Sequence, residues 1–196
     1  MIVIGLDLAG SPRRPTGLSK LYYPSLDVYT SIVYTDDEIL KVIAECKPRV
    51  VAIDAPLGLP RGRGSIEDSG PHLRLCDIML RRAGIRFLPV TLGAMRMLTE
   101  RGMRLKPIIE GFGFEVIEVY PGGAQDILGL PRAKKDRYRL RYGLEKLGLR
   151  IHSPDPTVHE LDAITAAYTG LMYVRGECTI LGDPDESTIV MPKPPV

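Results

Sequence analysis

The sequence predicts one mixed α/β domain, a sheet flanked by helices, and three observations carry that expectation. Residues 2–9 and 49–54 are nearly continuous apolar runs of strand length, the pattern of strands buried on both faces. Residues 17–34 carry β-branched and aromatic side chains interrupted by Pro24-Ser25, as in an antiparallel meander. Residues 157–174 place small and apolar side chains at helical spacing. The chain has 196 residues, 44% of them hydrophobic, which suffices for one sizeable core.

Taken in order, residues 2–9 form the first strand, and the Gly-Ser-Pro-Arg-Arg-Pro stretch that follows cannot continue a ladder. Residues 17–23 and 26–34 read as two further strands. Asp36 or Asp37 is expected to cap a helix running through Cys46, with Ile39, Leu40 and Ile43 on its apolar side. The buried strand 49–54 is stopped by Pro56. Residues 57–112 read as a mostly helical insertion over one edge of the sheet, with helices at 72–82 and at 92–111, the second interrupted near Pro107. Residues 114–120 return as a strand ended by Pro121-Gly122-Gly123, and 133–147 form a basic helix. The last long helix, 157–174, begins either at Asp155 before Pro156 or at a capping box of Thr157 with Glu160. The tail reads as a small hairpin turning at Gly182-Asp183-Pro184-Asp185.

The 26 Lys and Arg nearly balance the 24 Asp and Glu, so any attraction for a polyanion must come from a local patch. Cys46, Cys76 and Cys178 are far apart and unpaired with His72, His152 or His159, which argues against a zinc site and for reduced thiols. Met1 leads directly into a strand pattern, and no apolar run approaches the length of a spanning helix. A cytoplasmic protein that does not engage a membrane is the expectation.

The chemistry concentrates in acids. Asp7 and Asp54 interrupt the polar ends of the two apolar runs. If those strands lie side by side in parallel, the carboxylates are about 5 Å apart at the strand ends. Two negative charges that close must share a proton or bind metal, and phosphoryl-transfer sites use the second option, with two divalent ions roughly 4 Å apart. His159 and Asp162 are three residues apart and share one face of the final helix. Ala163, Ala166, Ala167 and Gly170 continue that side as a small stripe that permits close approach to a sheet, beside the apolar Leu161, Ile164, Tyr168 and Leu171. Each acid also has a plainer reading: Asp7 as a turn former, Asp54 as a loop cap, Asp162 as an arginine partner, and His159 as a surface or capping residue.

The segments GLDLAG, AIDAPLGLP, LCDIMLRRAG, VIEVYPGG and HELDAITAA, in this order and spanning nearly the whole chain, resemble the family called domain of unknown function 429. That resemblance implies a ribonuclease H-like fold and a predicted nuclease. The acid pattern is also similar to that of Holliday-junction resolvases, where acids on the first and fourth strands meet an acid on the last helix, sometimes preceded three residues earlier by a His. Asp7, Asp54, His159 and Asp162 match those positions. The resemblance further marks Asp77 and Arg81 as candidates for positioning substrate, although as an i, i+4 pair they also read as ordinary helix stabilisation.

Glu118, on an apolar strand, is expected either to supply a fourth metal-binding carboxylate or to pair with a buried Arg. Arg61 and Arg63 in a Gly-rich loop form one candidate phosphate-binding cluster. Arg132, Lys134, Lys135, Arg137, Arg139 and Arg141, interleaved with Tyr138 and Tyr142, form another, or simply a solvated helix face. The expected function is hydrolysis of a phosphodiester with two Mg²⁺ or Mn²⁺ ions held by Asp7, Asp54 and Asp162, His159 serving the attacking water. Nucleic acid is the expected partner, and cleavage of a junction would call for a homodimer. A nucleotide-binding phosphotransferase or ATPase of the related actin-like class is one alternative, and a noncatalytic binding protein is another.

Overall fold

The computed structural model describes residues 1–194. Along the chain run β1 (Ile2–Asp7), β2 (Thr16–Tyr22), β3 (Asp27–Val33), α1 (Asp36–Cys46), β4 (Val50–Asp54), α2 (Leu75–Arg82), α3 (Ala94–Gly111) and β5 (Glu115–Val119). Then follow α4 (Pro121–Ile127), α5 (Arg137–Lys146), β6 (Arg150–Ile151), α6 (Val158–Val174), β7 (Cys178–Asp183) and β8 (Ser187–Pro192). The described strands form one sheet in the order β6-β3-β2-β1-β4-β5-β8-β7. β1, β2 and β3 are the expected antiparallel meander, while β4 joins β1, and β5 joins β4, in parallel. This is a ribonuclease H-like mixed sheet with helices on both faces.

The period of two along the strands sorts the core. Val3, Val50, Ala52, Ile117 and Val119 face one way and pack with Leu161, Ile164 and Leu171 of α6 and Leu140 and Leu144 of α5. Ile4, Leu6, Leu18, Val51 and Ile53 face the other way, onto Ile39 and Ile43 of α1 and Leu105 and Ile109 of α3. A third cluster joins Cys76 and Leu80 of α2 to Ile189 and Met191 of β8. The two helices of segment 57–112 therefore take different places. α2 covers the β7–β8 end of the sheet, whereas α3 belongs to the layer on one face.

Several boundaries differ from expectation for local reasons. Thr35, not Asp36 or Asp37, caps α1, because its hydroxyl accepts from the Glu38 N–H while Glu38 reaches back to the Thr35 N–H. Asp36 is left to accept from Arg101 and Arg104 of α3. Helix α3 runs unbroken through Pro107, which is exposed, so the carbonyl left without a donor one turn back faces outward. Helix α5 starts only at Arg137 because Asp136 caps it, which leaves Lys134 and Lys135 in the preceding turn. Helix α6 begins with the Thr157–Glu160 capping box. The tail hairpin turns where expected, but β8 also joins the main sheet through β5. Among the described residues no helix is long and apolar enough to cross a membrane.

Candidate active site at the strand ends

Asp7 and Asp54 are register partners on β1 and β4, so adjacent parallel strands bring both acids to the same edge. They share the parity of Val3, Val50 and Ala52, whose side chains face α6. Both carboxylates therefore leave the sheet towards the helix that carries His159 and Asp162.

Helix α6 reaches them because the sheet beneath its first turns lacks side chains at Gly5 and Gly17. A Cβ on Gly5 would lie 2.1 Å from the Ala163 carbonyl oxygen, and one on Gly17 would lie 2.0 Å from that of His159. Gly17 is paired with Asp7 across β2 and β1. The first turns of the helix thus rest on bare backbone beside Asp7, and the His159 ring comes within reach, its Nδ1 2.6 Å from Asp7 Oδ2. That hydrogen bond is the main reason the His159 pKa is raised, although partial burial opposes it.

Asp162 sits one turn further along. Gln125 of α4 donates to it through Nε2 at 2.7 Å and shares the same nitrogen with the Thr165 hydroxyl at 3.1 Å. Gln125 is fully buried, and its Oε1 has no hydrogen-bond partner. Asp7 is close enough to oppose the ionisation of both Asp54 and Asp162. Burial first, then the Asp7 charge, pushes Asp162 up to about 6, against the Gln125 bond and the positive charges of Lys134 and His159. Asp54 is raised well above the usual carboxylate range by burial and by the charges of Asp7, Asp162 and Glu118, with Lys134 opposing.

Among the described residues no group of three or more His, Cys, Asp or Glu is already arranged to hold a metal ion. The donor set nevertheless suits one. Asp7 acts on both Asp54 and Asp162, and burial first, then this neighbouring negative charge, holds their carboxyls above the usual range against His159 and Lys134. Hard divalent cations prefer such oxygen donors.

Other sequence-derived candidates lie elsewhere. Glu118 follows the arginine alternative: Arg74 donates to its Oε2 and Oε1, each at 2.7 Å, while Leu57 N–H and the Ser187 hydroxyl add further bonds. Those bonds commit both oxygens and leave Glu118 outside the group of Asp7, Asp54 and Asp162. Asp77 does not pair with Arg81. It accepts from Arg74 at 2.8 Å from N–H and 2.9 Å from Nη2, because Arg74 is buried beside it and Arg81 is exposed. Arg61 pairs with Asp183 of the tail hairpin at 2.6 Å, and Arg63 donates to loop carbonyls of Pro71 and Gly70, so both organise loops. In the second basic cluster Arg132, Arg137, Arg139 and Arg141 pair with Asp126, Asp155, Asp136 and Glu145. Lys134 and Lys135 are exposed, and Lys134 acts electrostatically on Asp54, His159 and Asp162. Gln125 and Arg74 were not legible as site residues. The only hint of Arg74 was that Asp77 and Glu118, acids in apolar surroundings, required a cation.

Comparison with known proteins agrees with this architecture. A Thermus thermophilus RuvC structure superposes with a TM-score of 0.51 at 16% sequence identity, covering 90% of this chain and 96% of that one. T. thermophilus RuvC in complex with a Holliday junction substrate gives 0.50 at 15% identity over the same shares. No curated protein matches the sequence. The match to a family profile spans residues 25–186, which include Asp54, His159 and Asp162 but not Asp7. On that match the chain belongs to the family described as "Protein of unknown function (DUF429)".

Proposed function

We propose that this protein is a metal-dependent phosphodiester hydrolase acting on nucleic acid. The observation that supports it is the convergence of Asp7, Asp54 and Asp162, contributed by two parallel strands and the helix packed across them, with His159 hydrogen-bonded to Asp7. Asp7, the central member, and Asp54 and Asp162 on its flanks would hold two Mg²⁺ or Mn²⁺ ions. When bound, such a pair supplies positive charge to the attacking and leaving oxygens of an in-line displacement. His159 orients the attacking water and accepts its proton at Nε2, the ring nitrogen not engaged by Asp7. Gln125 holds the Asp162 carboxylate in one orientation, and Lys134 faces the substrate's phosphates. A homodimer is the assembly that a symmetric branched substrate would require.

The test is cleavage of labelled single-stranded, duplex and four-way-junction DNA and RNA with Mg²⁺ or Mn²⁺ and with EDTA. Metal-dependent cleavage is expected, and Asp7→Asn abolishes it while the circular dichroism spectrum is unchanged. Full turnover by Asp7→Asn would remove Asp7 from the mechanism. Thermal stabilisation by Mn²⁺ that disappears in the Asp7→Asn/Asp54→Asn/Asp162→Asn variant would separate a metal site from a noncatalytic scaffold.

A further inference from the structure

The Asp54 side of the site opens into a cavity of about 440 Å³ whose use the acids do not explain. Its volume falls within the range of small-molecule pockets, about 300–1,000 Å³. Asp54 is part of its lining, so whatever enters lies next to a carboxylate of the candidate active site. Phe87, Leu88, Val90, Met95 and Tyr120 form apolar and aromatic walls. Arg86 and Arg132 also line it. Arg132 is partly neutralised by Asp126, whereas Arg86 is exposed and makes no ion pair among the described residues. Leu88 is 68% exposed, the largest exposure among the sizeable hydrophobic residues described, and it borders this cavity.

An apolar slot with aromatic walls, a free guanidinium and an adjoining cluster of metal-binding acids is complementary to a planar base carrying a phosphodiester. We propose that this cavity receives one unpaired nucleobase of the substrate strand, with the adjacent phosphate held by Arg86 and, once divalent metal is bound, directed to the acid cluster at Asp54. The proposal rests on the nuclease reading and narrows its substrate class to single-stranded or locally unpaired nucleic acid. A base within a continuous duplex is stacked and paired on both sides and enters such a pocket only by leaving the helix.

The cavity floor also limits what it reads. Arg74, Asp77 and Glu118 line it, but their polar atoms are engaged with one another and with Leu57 and Ser187. Few hydrogen-bonding groups remain to distinguish one base edge from another. The pocket therefore accepts bases by stacking and shape, with weak sequence preference.

Binding measured without divalent metal separates this inference from catalysis. Fluorescence anisotropy with a labelled single-stranded oligonucleotide, the same strand in a full duplex, and a single strand made entirely of abasic sites is read in EDTA. The intact single strand is expected to bind at least about fivefold more tightly than either comparison, the smallest effect of losing one stacked base. Met95→Trp, which fills the cavity, and Arg86→Glu, at an exposed position, each weaken single-strand binding by a similar factor with unchanged melting temperature. Equal affinity for the intact and abasic strands, or for strand and duplex, overturns the proposal. So does single-strand binding unaffected in both variants. Should Met95→Trp fail to fold, Arg86→Glu and the abasic strand still decide the question. Base-dependent binding without any metal-dependent cleavage would leave the pocket intact and remove the nuclease reading instead.

Discussion

The proton on Asp162 reports directly on the charge around it. Its pKa of about 6 lies above the 3.8 of an ordinary Asp, because it is buried and faces Asp7. Between about pH 4 and 6 the native protein therefore holds a proton there that the unfolded chain has released. The sign follows: this group's contribution makes the metal-free protein less stable as pH rises from about 4 to about 6, on the order of 2–3 kcal/mol in all, and nothing further is lost above that window. A divalent ion competes with the same proton, and with the one that the raised Asp54 carboxyl holds, so metal affinity should fall at least roughly tenfold per pH unit below about 6. Carboxyl carbon NMR titration with and without Mg²⁺ checks both effects. A metal-free Asp162 titrating near 4 would mean that it is neither buried nor opposed by the Asp7 charge. Gln125 provides a second reading at the same carboxylate. Its amide donates to the ionised form and so opposes the upward shift. Gln125→Met should move the Asp162 titration higher and weaken Mn²⁺ binding about 10- to 100-fold, the usual consequence of losing a partner that orients a metal ligand. Unchanged titration and affinity would reduce Gln125 to packing.

Helix α6 and the strands beneath it form the element on which the site depends, and glycine sets their separation. A methyl at Gly5 would meet the Ala163 carbonyl oxygen at 2.1 Å and the Ala167 nitrogen at 2.4 Å, both backbone atoms that cannot rotate away. Gly5→Ala must lift the helix, at a cost of about 1–3 kcal/mol or more, and move His159 and Asp162 away from Asp7. Lower thermal stability together with loss of Mn²⁺-induced stabilisation is the expected pair of outcomes in a melting experiment. Gly111, at the end of α3, is the control, because nothing lies within 4 Å of an added Cβ there and its backbone is helical. Gly111→Ala should be neutral or stabilising by up to about 1 kcal/mol. This element was legible in advance: the small stripe on α6, the apolar runs ending at Asp7 and Asp54, and the Thr157–Glu160 capping box are all local patterns. α4 was not. Pro121-Gly122-Gly123 reads as a turn, and its helix is fixed by tertiary packing, with Gly123 pressed against Tyr120, Met191 and Ile85. Gln125 was hidden with it. β6 has only two residues and exists through pairing with β3, a partner far away in sequence.

At the scale of the molecule, the wall of the cavity beside Asp54 is held by one buried ion network that no local pattern announces. Arg74, just before α2, is 1% exposed and reaches Asp77 in the first turn of that helix, Glu118 on β5 and Ser187 on β8. It therefore ties the segment following β4 to the sheet on the cavity side, where Asp54, Arg74, Asp77 and Glu118 share one lining. A buried pair is weak evidence for net stability, because desolvation offsets much of its attraction, but removing one partner strands the other charge. Arg74→Met keeps the apolar bulk and leaves two acids buried at 2% and 4% exposure with no cation. The expected loss is about 3–5 kcal/mol near neutral pH. The stranded charges are the expected cause, and removing them tests it. Adding Glu118→Gln and Asp77→Asn to Arg74→Met removes the stranded charges and should restore part of the stability at neutral pH. Urea unfolding of the three proteins at neutral pH provides the measurement. No recovery in the triple variant would show that stranded charge is not the cause of the loss and that the ion network does not hold the cavity wall to the sheet.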